Sequence, residues 1–116
     1  MLALIQNEFS MVSLETFRLM ALSFPDSVGL PHFHLQSFRV KKKIFCTLHA
    51  KDNRAMLKLP LAEQSVFCSY DGEIFFPVPD GWGKGGATFV ELKKVKKTVL
   101  KEALEIAYNN AIAKKK

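Results

Sequence analysis

The order of apolar and polar residues predicts an α-helix near the start of the chain. The helix runs from Ser13, a favourable N-cap residue, to about Ser23. Pro25 ends it, and a loop that contains Gly29 and Pro31 follows. The apolar residues of this stretch recur at the helical period and are Leu14, Phe17, Ala21 and Phe24.

A second apolar stripe predicts a helix at the other end of the chain. Its members fall on one side of a helix and are Leu100, Leu104, Ala107 and Ala111, with Ala103 and Ile112 beside them. Thr98 is the predicted N-cap, although Lys101 three residues later prevents a capping box.

The middle of the chain is predicted to be mainly sheet, because short runs rich in Phe, Val, Ile and Thr alternate with turn residues. The predicted strands are 32–34, 37–40, 43–49, 55–59, 73–78 and 87–92. A short helix, 61–68, has Pro60 in its first turn. This order predicts an α+β fold and lacks the regular alternation of a parallel βαβ sheet.

The two strands 37–40 and 43–49 are close enough to form a tight hairpin, but the turn residues oppose it. Lys41 and Lys42 would need the positive φ angles that lysine disfavours. We therefore expect another type of turn or a longer loop at this tip.

The length of the chain limits the number of domains, and its charge limits the kinds of partner. With 116 residues, the chain fits one domain, which we place at residues 13–116 behind an uncertain lead-in at residues 1–12. One basic and three acidic residues give residues 1–31 a balance of −2, and sixteen basic against eight acidic residues give the remainder +8. The lysine clusters are Lys41, Lys42 and Lys43; Lys93, Lys94, Lys96 and Lys97; and Lys114, Lys115 and Lys116. Such a balance is compatible with a polyanion as partner, or with a merely well-solvated surface.

No stretch has the length of about 20 apolar residues that a membrane span needs, and the start of the chain does not resemble a signal peptide. Cys46 and Cys68 form no CxxC pair. We expect a monomeric cytoplasmic protein that has reduced thiols and no membrane as partner.

Catalytic and metal-binding patterns are missing from the sequence. His32 and His34 would point to one side of a strand, but His49, Cys46 and Cys68 offer no third ligand at a recognised spacing. No serine lies in a GxSxG frame, and no pair of carboxylates is placed for acid–base catalysis. We expect no enzyme, no metal and no cofactor.

The segment 81–86 is rich in glycine and includes Trp82 and Lys84. It is not a phosphate loop, because a strand rather than a helix is predicted after it. One interpretation makes it a wing that presents Trp82 and Lys84 to a partner. The favoured one is structural: the glycines take special backbone angles in a turn, and Trp82 packs down on the edge of the sheet.

In their order along residues 13–113, these features resemble the MmcQ/YjbR-like family of small bacterial proteins. The segments that carry the resemblance are the first helix and its exit, Leu19–Pro25; Ser37-Phe38-Arg39-Val40; Lys43-Ile44-Phe45; Met56-Leu57-Lys58-Leu59 and the helix after it; Phe75-Phe76-Pro77-Val78-Pro79; Trp82-Gly83-Lys84-Gly85-Gly86 with Thr88 and Val90; and Ala103-Leu104 with Ala107-Tyr108. The family usually has a glycine in the first hairpin turn, where this chain has Lys41 and Lys42. It favours a tryptophan before the threonine, where this chain has Ala87.

The resemblance implies an antiparallel sheet with helices packed on one face and two protruding hairpin wings. Family members are described as DNA-binding, and the wings correspond here to residues 41–43 and 82–86. Our leading hypothesis is a DNA-binding protein that makes mainly non-specific phosphate contacts, because lysine outnumbers arginine and bidentate reading of guanine is poorly supplied. The residues expected to bind nucleic acid are Arg39, Lys41, Lys42, Lys43, Trp82 and Lys84.

The alternative hypothesis is a small accessory protein that binds another protein or a small ligand. Phe67, Phe75 and Phe76, close to Trp82 in this interpretation, would line its apolar cleft.

Overall fold

The computed structural model describes residues 12–113. Within this range, six strands form one sheet: β1 (Val28–His32), β2 (Leu35–Val40), β3 (Lys43–His49), β4 (Arg54–Lys58), β5 (Phe75–Pro77) and β6 (Ala87–Glu91). The helices are α1 (Leu14–Leu22), α2 (Leu61–Tyr70), the single turn α3 (Gly81–Lys84) and α4 (Lys97–Ile112), with a 3-10 turn at Ala50–Asp52.

The sheet is antiparallel throughout, with the spatial order β1-β2-β3-β4-β6-β5. β2 and β3 form the first hairpin. β5 and β6 form the second, and α3 lies in their connection. The predicted α+β fold with an antiparallel sheet is confirmed.

The hydrophobic core lies on one face of the sheet, beneath the helices. α1 contributes Phe17, and α4 contributes Leu100 and Leu104, all three fully buried. The pairing of β2 with β3 shifts by one residue after Phe38, so that two consecutive residues of β3, Phe45 and Cys46, belong to the core. The opposite face of the sheet carries no helix among the described residues, apart from α3 at its margin.

Both predicted terminal helices are present. The Ser13 hydroxyl accepts a hydrogen bond from the Thr16 amide (3.0 Å), which confirms the N-cap of α1. The prediction for Thr98 is wrong, because α4 begins two residues earlier and Lys96 is its N-cap without a side-chain bond. Val95 is fully buried just before α4. Burial of such a side chain stabilises by about 1.5–3 kcal/mol and outweighs a cap of about 1 kcal/mol.

The predicted strand 32–34 is wrong. β1 instead covers Val28–His32, including the two residues expected in a loop, and Phe33 with His34 forms a tight turn into β2. Pro31 is tolerated because β1 is the edge strand of the sheet. Phe33 has a φ of 59°.

The tip of the β2–β3 hairpin also differs from the prediction. Val40 pairs directly with Lys43, so that Lys41 and Lys42 form a two-residue turn with φ angles of 52° and 69°. The expectation of another turn or a longer loop is wrong. This turn matches the right-handed twist of the two strands, and their pairing stabilises it against the lysine backbone strain.

Smaller differences concern the ends of elements. α2 extends two residues beyond the prediction, and Pro60 is its N-cap rather than part of its first turn. β5 covers only three of the six residues predicted as a strand. Val12, which the prediction assigned to the lead-in, is buried, and its amide donates to the Leu92 carbonyl (2.7 Å). Residues 1–11 of that lead-in lie outside the described residues.

Candidate functional site

Four cationic side chains surround one cavity of about 480 Å³ at the end of the sheet where the β2–β3 hairpin turns. We call it the cationic pocket and define it by Arg39, Lys42, Lys43 and Lys58. Its remaining walls are Ile44, Gly85, Ala107, Asn110 and Ala111. Its size lies in the range typical of ligand sites.

The pocket depends on four segments that are distant in sequence. Lys42 and Lys43 come from the first hairpin, whereas Lys58 is the last residue of β4. The amide of Leu59 donates to the Gly86 carbonyl (3.0 Å), which holds the glycine-rich connection against the end of β4. The Asn110 side-chain amide donates to the Lys58 carbonyl (3.3 Å) and joins the end of α4 to the same place.

The pocket is electropositive. Among residues 12–113, no acidic side chain lines it. The ion pairs formed among residues 12–113 are Arg18–Glu15, Arg54–Glu91 and Lys94–Glu73, and none involves the four cations. Arg39 donates from Nε to the Ser37 hydroxyl (3.0 Å), which orients its guanidinium. The last turns of α4 bring about half a negative charge of helix dipole to one wall, much less than four positive charges.

A second cavity, of about 330 Å³, lies on the sheet face that the helices leave uncovered. We call it the open-face cleft. Its walls are mainly apolar or aromatic and consist of His32, Leu35, Ile44, Thr47, His49, Met56, Lys58, Val78, Trp82, Ala87 and Phe89. Ile44 and Lys58 line both cavities, so the cleft and the cationic pocket are contiguous.

Trp82 lines this cleft yet keeps 71% of its surface exposed. The favoured interpretation, in which Trp82 packs down against the edge of the sheet, is therefore wrong. The segment does turn, and of its four glycines Gly86 has the special backbone angle that this interpretation expects. A Cβ on Gly83 would overlap the Val78 carbonyl oxygen, and a Cβ on Gly86, which has a φ of 107°, would overlap the Leu59 carbonyl oxygen.

Gln64 of α2 holds the turn that carries Trp82. Its buried side-chain amide donates to the carbonyls of Gly83 (2.9 Å) and Ala87 (3.2 Å) and to the Thr88 hydroxyl (3.1 Å). Gln64 is not among the residues predicted from the sequence. The signal available was a polar residue on the face of α2 that also carries Phe67 three residues later.

The structure brings together some of the predicted binding residues and not others. Arg39, Lys42 and Lys43 line the cationic pocket, with Trp82 in the adjoining cleft. Lys41 and Lys84 are exposed and line neither cavity. Lys58 was missed. Lys58 follows the core residue Leu57 in β4, so the alternation of side chains places it on the open face of the sheet. Its position beside Ala87 depends on the pairing of β4 with β6, which the sequence does not show.

The lysine clusters do not share one surface. The turn at Lys41 and Lys42 lies at the end of the sheet where β4 finishes. Lys93, Lys94, Lys96 and Lys97 follow β6, at the opposite end of the sheet beside the start of β4. The cluster at residues 114–116 lies outside the described residues.

The phenylalanines of the alternative hypothesis do not line the cleft together. Phe67 and Phe75 are buried on the helix side of the sheet, with ring centroids 4.9 Å apart. Phe76 lies on the open face and packs against Phe89 (5.8 Å). The Arg54 guanidinium lies over both of those rings and pairs with Glu91 (2.7 Å).

Within residues 12–113, three titratable groups have shifted pKa values. Burial lowers the pKa of His49, and nearby Arg54 and His34 lower it further against the opposing effect of Asp52. The His49 ring Nε2 lies 2.9 Å from the Thr47 hydroxyl. Burial raises the pKa of the Cys46 thiol well above its ordinary value and raises that of Cys68.

Other classes of site find no support in the part of the chain that the structure describes. No three His, Cys, Asp or Glu side chains are grouped as metal ligands there. Cys46 and Cys68 are free thiols. None of the described helices has the length and apolar character needed to cross a bilayer.

The sequence matches no protein-family model and no curated protein. Among solved structures, the fold is similar to that of the crystal structure of Deinococcus radiodurans protein DR2400, which has a DUF419 domain. The TM-score is 0.78 at 18% sequence identity, over 94% of this chain and 83% of that one. DUF419 belongs to the YjbR/MmcQ-like fold family. At this identity the similarity shows the fold alone.

Proposed function

We propose that this protein is a cytoplasmic member of the MmcQ/YjbR-like family that binds DNA through non-specific phosphate contacts in the cationic pocket. The observation that carries the proposal is the convergence of Arg39, Lys42, Lys43 and Lys58, with no acidic residue of the described part of the chain in the pocket wall. Four like charges around one cavity repel one another, and a bound polyanion removes that repulsion.

The composition of the pocket favours low sequence specificity. Three of its four cations are lysines, which act as point charges for phosphate. Arg39 is the single guanidinium in the wall, and its Nε is engaged by Ser37. Reading of base edges in a major groove needs several bidentate side chains, which this surface does not supply.

The test is the salt dependence of binding to a labelled oligodeoxynucleotide, measured by fluorescence anisotropy. Replacing Lys42 and Lys43 by Gln removes two phosphate contacts and should make the slope of log K against log salt shallower by about 1.4–1.8. The matched control replaces Lys93 and Lys96 by Gln. It removes the same charge at the opposite end of the sheet and should change the slope much less.

Two results would contradict the proposal. One is the absence of binding by the unmodified protein at low salt. The other is an equal change of slope in both double variants, which would mean that net charge rather than the pocket attracts the DNA.

A second candidate function is the binding of a small anionic ligand, as an accessory protein would. The open-face cleft, which adjoins four cations, is the observation in its favour. Calorimetric titration with mononucleotides and with aromatic carboxylates would support it if either binds more tightly than an oligonucleotide does.

A further inference from the structure

The open-face cleft is built from two kinds of surface. Trp82 and Phe89 supply aromatic rings, and Met56 and Val78 extend the apolar wall. Thr47 and His49, which are hydrogen-bonded to each other, supply polar groups to the same cavity. A nucleobase has the matching chemistry, because its faces stack on aromatic rings and its edge forms hydrogen bonds.

The cleft also adjoins the cationic pocket. The two cavities share Ile44 and Lys58 in their walls, so a phosphate in the pocket and a base in the cleft can belong to neighbouring parts of one strand. A purely apolar ligand would leave the adjoining cations without a partner. This charge complementarity favours an anionic occupant with an aromatic part.

The backbone turn that carries Trp82 is fixed in position. Gly83 approaches the Val78 carbonyl as closely as only glycine can, and Gln64 bonds to the carbonyl of Gly83 (2.9 Å). The turn is therefore fixed in place, whereas the indole keeps 71% of its surface exposed. Stacking on the indole therefore costs conformational entropy mainly in the side chain, because the backbone that carries it is already fixed.

We propose that the open-face cleft binds an unpaired nucleobase, and that the preferred nucleic acid is single-stranded at the bound position. The inference rests on the proposed function. In a duplex, the faces of each base are covered by its neighbours and its edge by the partner strand, so a paired base cannot enter the cleft. Duplex DNA retains only the phosphate contacts.

The experiment uses the fact that Trp82 is the sole tryptophan of the chain. Its emission is recorded while three oligomers of equal length are added: an oligothymidine, an abasic strand with the same phosphates, and a duplex. The oligothymidine should quench Trp82 and bind about 5- to 150-fold more tightly than the abasic strand, the range expected for one stacked base. The abasic strand and the duplex should bind without comparable quenching.

Two substitutions separate stacking from phosphate binding. Trp82→Ala should lose about 5- to 150-fold in affinity for the oligothymidine, and Trp82→Phe should recover most of it. Both should keep the salt slope of the unmodified protein, because the cationic pocket is intact. Exposure of Trp82 makes both variants compatible with folding, which circular dichroism verifies.

The outcomes distinguish the two proposals. Equal affinity for the abasic strand and the oligothymidine, tighter binding of the duplex, or an unchanged affinity of Trp82→Ala would overturn the base site. In those cases the proposed function would still hold if binding depends on salt and requires Lys42 and Lys43. If no oligomer binds at low salt, both proposals fail.

Discussion

Relief of backbone strain at the tip of the β2–β3 hairpin should stabilise the protein. Lys41 and Lys42 occupy left-handed backbone conformations with φ angles of 52° and 69°. Each side chain is exposed, so a change to glycine removes little packing. The variants are Lys41→Gly and Lys42→Gly.

Two opposing quantities determine the size of the effect. A residue other than glycine in the left-handed region costs roughly 1–2 kcal/mol. Glycine itself costs about 0.5–1 kcal/mol of stability, because it has more conformational freedom in the unfolded chain to lose on folding. The net gain in the free energy of unfolding is about 0.5–1 kcal/mol per substitution, which corresponds to a rise in Tm of about 2–4 °C for a chain of this size.

Urea and thermal denaturation monitored by circular dichroism measure the effect. The midpoint should rise at an unchanged m-value in both variants. Lys51→Gly is the control, because Lys51 is exposed and has no positive φ, and glycine there should destabilise by about 0.5–1 kcal/mol. A drop in the midpoint of Lys41→Gly and Lys42→Gly that equals the control's would refute the argument from strain.

The same pair of variants connects the turn with binding. Lys42 lines the cationic pocket and Lys41 does not. Lys42→Gly should therefore make the salt slope shallower by about 0.7–0.9, the value of one phosphate contact, and Lys41→Gly should change it less. Strain at Lys42 would then be retained for function, as is common at binding sites.

Further predictions concern the support of Trp82 and the cleft. Gly83→Ala should destabilise by about 1–3 kcal/mol, because the new Cβ overlaps the Val78 carbonyl, whereas Gly81→Ala meets no atom within 4 Å and should be neutral or stabilising by denaturation midpoint. Gln64→Leu removes three hydrogen bonds and should cost about 1–3 kcal/mol in urea denaturation. Burial lowers the pKa of His49 in the folded protein, so the unfolded chain binds the proton more tightly. Stability should therefore fall as pH drops below about 6.5, and the fall should be smaller in His49→Gln, as denaturation midpoints across pH will show.

The helices were predictable because their information is local. The apolar stripe of α4 needs only the period of the helix, and all of its central members are buried as expected. Ser13 caps α1 through a bond to a residue three positions away. The cap at Thr98 was not predictable, since burial of Val95 outside the helix determined where α4 starts.

The hairpin turn and the edge strand β1 are stabilised by strand pairing, which local propensity does not include. Propensity argued against a tight turn at Lys41 and Lys42, but the pairing of Val40 with Lys43 and the strands behind them imposed it. Pro31 indicated a loop, yet the edge position of β1 let it pair with Gln36. In both places a small local cost was outweighed by many hydrogen bonds along the strands.

Residue type and short-range period were enough to predict the α+β class, the two terminal helices and the two segments, one rich in lysine and one in glycine, that flank the site. The tertiary structure decided which charges act together. Strand pairing brought Lys58 beside the hairpin lysines and left Lys93 and its neighbours at the other end of the sheet. It also decided that Trp82 is exposed beside an uncovered sheet face. Which charges lie together and which side chains are exposed depend on distances in space, and separation along the sequence does not determine those distances.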